Sequence, residues 1–129
     1  MKLLLDTHIF LWYVTGDMRV GRSTRSMIEN ADIVYLSVVS VWEATIKFQL
    51  GKLPLPEPPH PWLVIQREQH GFESLPVDEA TIAHLGTLPL HHRDPFDRLL
   101  ICQAIQHHLQ LVTVDSHFTA YPVQLVSPA

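Results

Sequence analysis

Apolar residues follow two kinds of pattern along this chain. Short, largely apolar runs occur at 2–5 (with Leu3-Leu4-Leu5), 33–36 (Ile33-Val34-Tyr35-Leu36), 111–114 and 123–126. Such runs are too short for helices and predict strands buried on both faces. Residues 72–75 predict one more short strand. The intervening stretches predict helices over 8–14, 22–30, 39–50, 62–70, 78–85 and 95–108. In the last of these, Leu100, Ile101, Ala104 and Ile105 recur at helical spacing and mark its buried face. Gly51 and Gly71 follow two of the helices and predict their ends. Strands alternating with helices predict an α/β fold, a mainly parallel sheet with helices on both faces.

Pro54, Pro56, Pro58, Pro59 and Pro61 crowd one short stretch, which predicts an extended surface connection. It is too short to separate two units, so 1–129 reads as a single domain. Composition agrees: of 129 residues, 47% are hydrophobic and 17% charged, which excludes a largely disordered chain. The apolar run at 9–14 is far too short to span a membrane. The start, Met1-Lys2-Leu3-Leu4-Leu5-Asp6, lacks the apolar length of a signal peptide. Cys102 is the single cysteine, so no intrachain disulfide and no multi-cysteine zinc site exists. These features predict a cytoplasmic protein with no membrane partner.

Charge narrows the function. Nine Lys and Arg against thirteen Asp and Glu give a net charge of −4. Binding phosphate backbones by bulk charge calls for a basic protein. If this chain binds nucleic acid, a bound divalent metal is the better source of positive charge.

In such folds, ligands sit outside the carboxyl ends of the strands. Asp6 follows the first strand and Asp115 ends the run at 111–114. Glu43 is expected in the first turn of the helix after 33–36. Asp97 is expected in the first turn of the helix that feeds the Asp115 strand. Four carboxylates then converge at one edge. Each also has a plainer reading. Ser40-Val41-Trp42-Glu43 fits a capping box. Asp94-Pro95-Phe96-Asp97 fits an N-cap, a proline at N1 and an acid at N3. Asp6 and Asp115 suit a cap or a turn. Capping alone does not explain why all four lie at one end. Clustered carboxylates repel, and a hard divalent cation held by oxygen ligands removes that conflict. Such an ion polarises a phosphodiester and lowers the pKa of a bound water.

Leu3-Leu4-Leu5-Asp6-Thr7-His8, Ser40-Val41-Trp42-Glu43, His92-Arg93-Asp94-Pro95-Phe96-Asp97-Arg98-Leu99-Leu100 and Leu111-Val112-Thr113-Val114-Asp115 together resemble PIN-domain proteins. The likeness is greatest to the VapC-like toxins of bacterial type II toxin–antitoxin pairs. It covers nearly the whole chain, in order. The resemblance implies a three-layer α/β/α fold and a Mg²⁺-dependent endoribonuclease, with Mn²⁺ as a substitute, cutting structured RNA such as tRNA or rRNA. It also implies inhibition by a cognate VapB-like antitoxin, and a homodimer. Asp6, Glu43, Asp97 and Asp115 match the family's acidic quartet, and Asp94 matches a subgroup's pattern.

Nearby residues have two readings each. Thr113 orients Asp115 and Thr7 orients Asp6 through their hydroxyls, or both are β-formers packing locally. Arg93 and Arg98 contact the RNA backbone, or decorate a solvated helix start. Lys47 reaches a substrate phosphate, or pairs with Glu43 one turn away. Trp12, Tyr13, Trp42 and Phe48 belong to the core or to an interface. A zinc site from His107, His108 and His117 is disfavoured, because neighbours on a helix point apart. Two rival functions remain: a non-catalytic PIN-like module that binds RNA or a protein, and a phosphohydrolase with an aspartyl nucleophile. The second calls for an acid two residues after the nucleophile, where this chain has His8.

Overall fold

The computed structural model describes residues 1–91 and 94–127. Along them run β1 (Lys2–Leu5), α1 (Thr7–Val14), α2 (Arg22–Asn30), β2 (Ile33–Ser37), α3 (Val38–Gln49) and α4 (Pro59–Gln69). Then follow β3 (Glu73–Leu75), α5 (Glu79–Thr87), α6 (Pro95–His107), β4 (Gln110–Val112), a 3₁₀ turn (Ser116–Ala120) and β5 (Gln124–Val126). The strands form one sheet in the order β3-β2-β1-β4-β5, with every pairing parallel. β1 is central, and Leu4 lies between Tyr35 of β2 and Leu111 of β4.

Side chains alternate across this sheet, and both faces are apolar. Leu3, Leu5, Val34, Leu36 and Val112 join Ile9 and Phe10 of α1, Ile28 of α2 and Leu63 of α4. Leu4 and Leu111 face the other way, onto Leu100, Ile101 and Ala104 of α6 and onto Phe118. Two cores, one on each face, give the expected three layers. Among the described residues no helix is long and apolar enough to cross a membrane.

Both glycine stops hold for the expected reason. Gly51 and Gly71 each have φ +70. The amides one residue on, Lys52 and Phe72, bond back to the carbonyls of Lys47 and Arg67 at 2.8 and 3.0 Å. That closure needs a left-handed residue, which glycine adopts without strain.

Several boundaries differ from the sequence reading. Helix α4 begins at Pro59, so Pro59 and Pro61 of the stretch expected to be extended belong to it, and α5 runs on to Thr87. Three more shift. Helix α3 begins at Val38, and its cap is Ser37, whose Oγ accepts from the Val39 amide at 3.0 Å. Ser40 is therefore not a cap, and Glu43 lies in the second turn. β2 runs straight into α3, so the helix starts where the sheet ends. β4 stops at Val112: the Thr113 amide still bonds to the Val126 carbonyl at 3.1 Å, but Val114 is turned out and 55% exposed. Helix α6 ends at His107, with His108 left-handed at φ 56.

One buried polar bridge ties α6 to the sheet. Ser37 Oγ donates to Gln103 Oε1 at 2.6 Å, and Gln103 Nε2 donates to the Pro76 carbonyl at 3.1 Å. Ser37 and Gln103 are both fully buried. Gln103→Leu leaves those partners unsatisfied, and urea titration should show a loss of about 1–3 kcal/mol. Unchanged stability would mean that water replaces the amide.

Candidate active site

β1, β2 and β4 all end at the same edge of the sheet, and each is followed there by a helix or 3₁₀ turn. Helix α6 returns the chain to the start of β4, so it also begins at that edge. Asp6, Glu43, Asp97 and Asp115 thus arrive from four separate elements. Together with His8, Lys47, Asp94 and Val114 they line one cleft of about 340 Å³.

Capping and convergence both hold. Asp6 caps α1: Oδ1 accepts from the Thr7 amide at 2.8 Å. Asp94 caps α6, accepting from the Phe96 and Asp97 amides at 2.9 and 3.1 Å. Asp115 caps the 3₁₀ turn through the His117 amide at 2.9 Å. Parallel topology brings these helix starts together, so three of the caps share one cleft with Glu43 and Asp97.

The threonines do more than the sequence reading gave them. Thr7 Oγ1 donates to Glu43 Oε1 at 2.6 Å and lies 2.9 Å from Ser40 Oγ. Its hydroxyl therefore holds Glu43, while its amide holds Asp6. The Thr113 hydroxyl donates to Asp6 Oδ2 at 2.7 Å and accepts from the Asp115 amide at 3.0 Å. It ties Asp6 to Asp115, and what it fixes at Asp115 is the backbone. Lys47 forms the ion pair with Glu43. Arg98 turns away from the cleft: one guanidinium nitrogen donates to the Pro89 carbonyl at 3.0 Å. His92 and Arg93 lie outside the described residues. Two contacts were missed, Ser40 beside Thr7 and the His117 ring 2.9 Å from Asp115 Oδ1. No sequence signal pointed to either.

The electrostatics are those of a partly buried, acidic pocket. Burial pushes the Asp6 carboxyl up, against the hydrogen bonds from Thr113 and Thr7. Burial, and then the charges of Asp6, Asp94, Glu43 and Asp115, push Asp97 up to about 8. Burial pulls the Lys47 ammonium down, but its bond to Glu43 and the charges of Glu43, Asp94 and Asp97 together outweigh that, and the net shift is upward. Among the described residues no three His, Cys, Asp or Glu side chains stand as a ready ligand set. The donors available are nonetheless hard oxygens, and burial among neighbouring acids favours a proton on Asp97. That chemistry fits a hard divalent cation, which takes few carboxylates and keeps several waters.

The PIN domain family matches residues 3–124, almost the whole chain. The chain belongs to the PIN-domain family. Ribonuclease VapC22 of Mycobacterium tuberculosis is 27% identical over 120 residues, covering 92% of this chain and 91% of that protein. The fold is similar to that of VapBC2 from Rickettsia felis, solved bound to a DNA fragment from their promoter. That likeness has a TM-score of 0.75 at 17% identity and covers 98% of each chain. DNA-bound VapBC from Salmonella typhimurium gives a TM-score of 0.72 at 16% identity, over 100% of this chain and 99% of that one. The three-layer architecture expected of a PIN domain is thus the one observed.

Proposed function

We propose that this PIN domain is a metal-dependent endoribonuclease toxin, restrained by a small cognate antitoxin. The observation that carries the reading is the convergence of Asp6, Glu43, Asp97 and Asp115 in one cleft, with Asp97 pushed up to about 8. The name of the VapC22 relative and the VapBC assemblies among the structural relatives support the activity and the partner. Its substrate is a structured RNA such as tRNA or rRNA, and the chain works as a homodimer.

Asp6, Glu43, Asp97 and Asp115 would hold the cation, Mg²⁺ or in its place Mn²⁺. The bound ion supplies a more acidic water and neutralises charge on the phosphate. The chain's own work is placement. Thr113 fixes the Asp6 carboxylate, and Thr7 fixes one Glu43 oxygen. Lys47 neutralises the other Glu43 oxygen and stands at the cleft, where a phosphate would meet its ammonium. Without the cation, the Asp97 carboxyl holds or gives up a proton near neutral pH, so the ion and a proton compete for it.

The test uses the protein freed of antitoxin and incubated with total RNA, with Mg²⁺ or with EDTA. Discrete fragments that require metal are expected, and sequencing their ends identifies the target. Asp6→Ala should lose that cleavage while keeping its circular dichroism spectrum. Intact RNA in every lane would instead make the chain a binding module.

A further inference from the structure

The cleft does not account for its most exposed aromatic neighbour. Trp42 lies next to Glu43 on α3, and it is 51% exposed. Its ring packs against Phe96, the neighbour of Asp97, with centroids 4.7 Å apart and planes at 84°. This pair joins the two helices that deliver Glu43 and Asp97 to the cleft. Phe96 braces the indole, and packing at that angle leaves at least one indole face open.

Charge argues for what covers that face. The chain carries a net −4. Beside the cleft, Lys47 is tied to Glu43 and Arg98 donates to backbone carbonyls. A single phosphate contact at Lys47 leaves an RNA strand in need of a further source of affinity. Stacking is another source, because every base has a π face whatever the charge of its backbone. Area argues against a second copy of the chain: a stable interface takes about 800 Å² per partner. Among the described residues, the well-exposed large apolar side chains on α3 and in the cleft lining are Val38, Trp42 and Val114, too few for such an area.

We propose that Trp42, braced by Phe96, is a stacking platform for a nucleobase flanking the scissile phosphate. It is a positioning and specificity residue, and it favours substrates whose flanking base is splayed out of a helix. The proposal rests on the ribonuclease reading. It is tested on a short RNA carrying the mapped cut site, and on copies with an abasic nucleotide at each flanking position. Trp42→Ala should raise KM by roughly tenfold or more with a smaller change in kcat, and Trp42→Phe should recover most of the loss. In wild-type protein, one abasic position should reproduce that loss. In Trp42→Ala the same abasic RNA should bring no further loss. An active Trp42→Ala with unchanged KM overturns the stacking role alone. Additive losses, with Trp42→Ala sedimenting as a smaller species than wild type, make the face a contact between copies and also overturn it. A wild-type protein that cuts no RNA overturns the ribonuclease reading and the proposal with it.

Discussion

Asp97→Asn abolishes RNA cleavage and, in EDTA at pH 8, raises the melting temperature by roughly 5–10 °C. The two effects share one cause. In the native protein, burial and four neighbouring acids push Asp97 up to about 8. In the unfolded chain it ionises near pH 4. Between those values the folded state holds a proton that the unfolded state releases, so stability falls as pH rises through the window. Asparagine mimics the protonated acid at every pH and removes that dependence. Asp97 is partly open to solvent, so we discount the full shift to about 2 kcal/mol. The gain should shrink towards pH 5, where the native acid is itself protonated. Scanning calorimetry at both pH values decides it. A lower melting temperature for Asp97→Asn at pH 8 would show that the negative charge at the start of α6 stabilises the fold.

Thr7→Val lowers kcat by roughly a hundredfold while the protein stays folded. Valine fills the same volume, so no cavity opens. What goes is the hydroxyl that donates to Glu43 Oε1, at a position 2% exposed, to a carboxylate 4% exposed. A buried acceptor that loses its donor either turns to another partner or takes up a proton, and both moves take Glu43 out of its working position. Thr7→Ser should restore most of the rate. Single-turnover cleavage at saturating RNA, beside a thermal melt, checks the pair of variants. Full activity in Thr7→Val would reduce the hydroxyl to a packing group.

Much of this was legible from the sequence, for reasons that can be named. Leu3-Leu4-Leu5 and Ile33-Val34-Tyr35-Leu36 read as strands because both faces of a covered parallel sheet are apolar. Gly51 and Gly71 read as stops because the helix ends there need a left-handed residue. Asp94-Pro95 read as a helix start from local chemistry alone. Failures came where tertiary packing chose between local equals. Ser37 and Ser40 are both plausible caps, and the second is followed by the glutamate a capping box wants. The sheet decided, by ending at Ser37. Thr113 and Val114 are good strand formers, yet the chain leaves the sheet there and brings Asp115 to the cleft. The threonine bonds were legible only in part. A hydroxyl next to an acid suggests that it orients that acid, but Thr7 reaches across to α3 and Thr113 across to the end of β1. Trp42, in a largely apolar helix, gave no sign that it would face solvent.

The position of β1 sets when the cleft can form. Its first neighbour, β2, follows within the opening third of the chain, but its second, β4, is made only near the end. The hydroxyl that ties Asp6 to the Asp115 segment sits on Thr113, later still. A growing chain therefore carries Asp6 and Glu43 long before it can assemble the cleft around them. Long-range pairing of this kind also forms slowly, because the intervening loop must close first. The cleft, and with it the activity proposed for the chain, therefore assembles last.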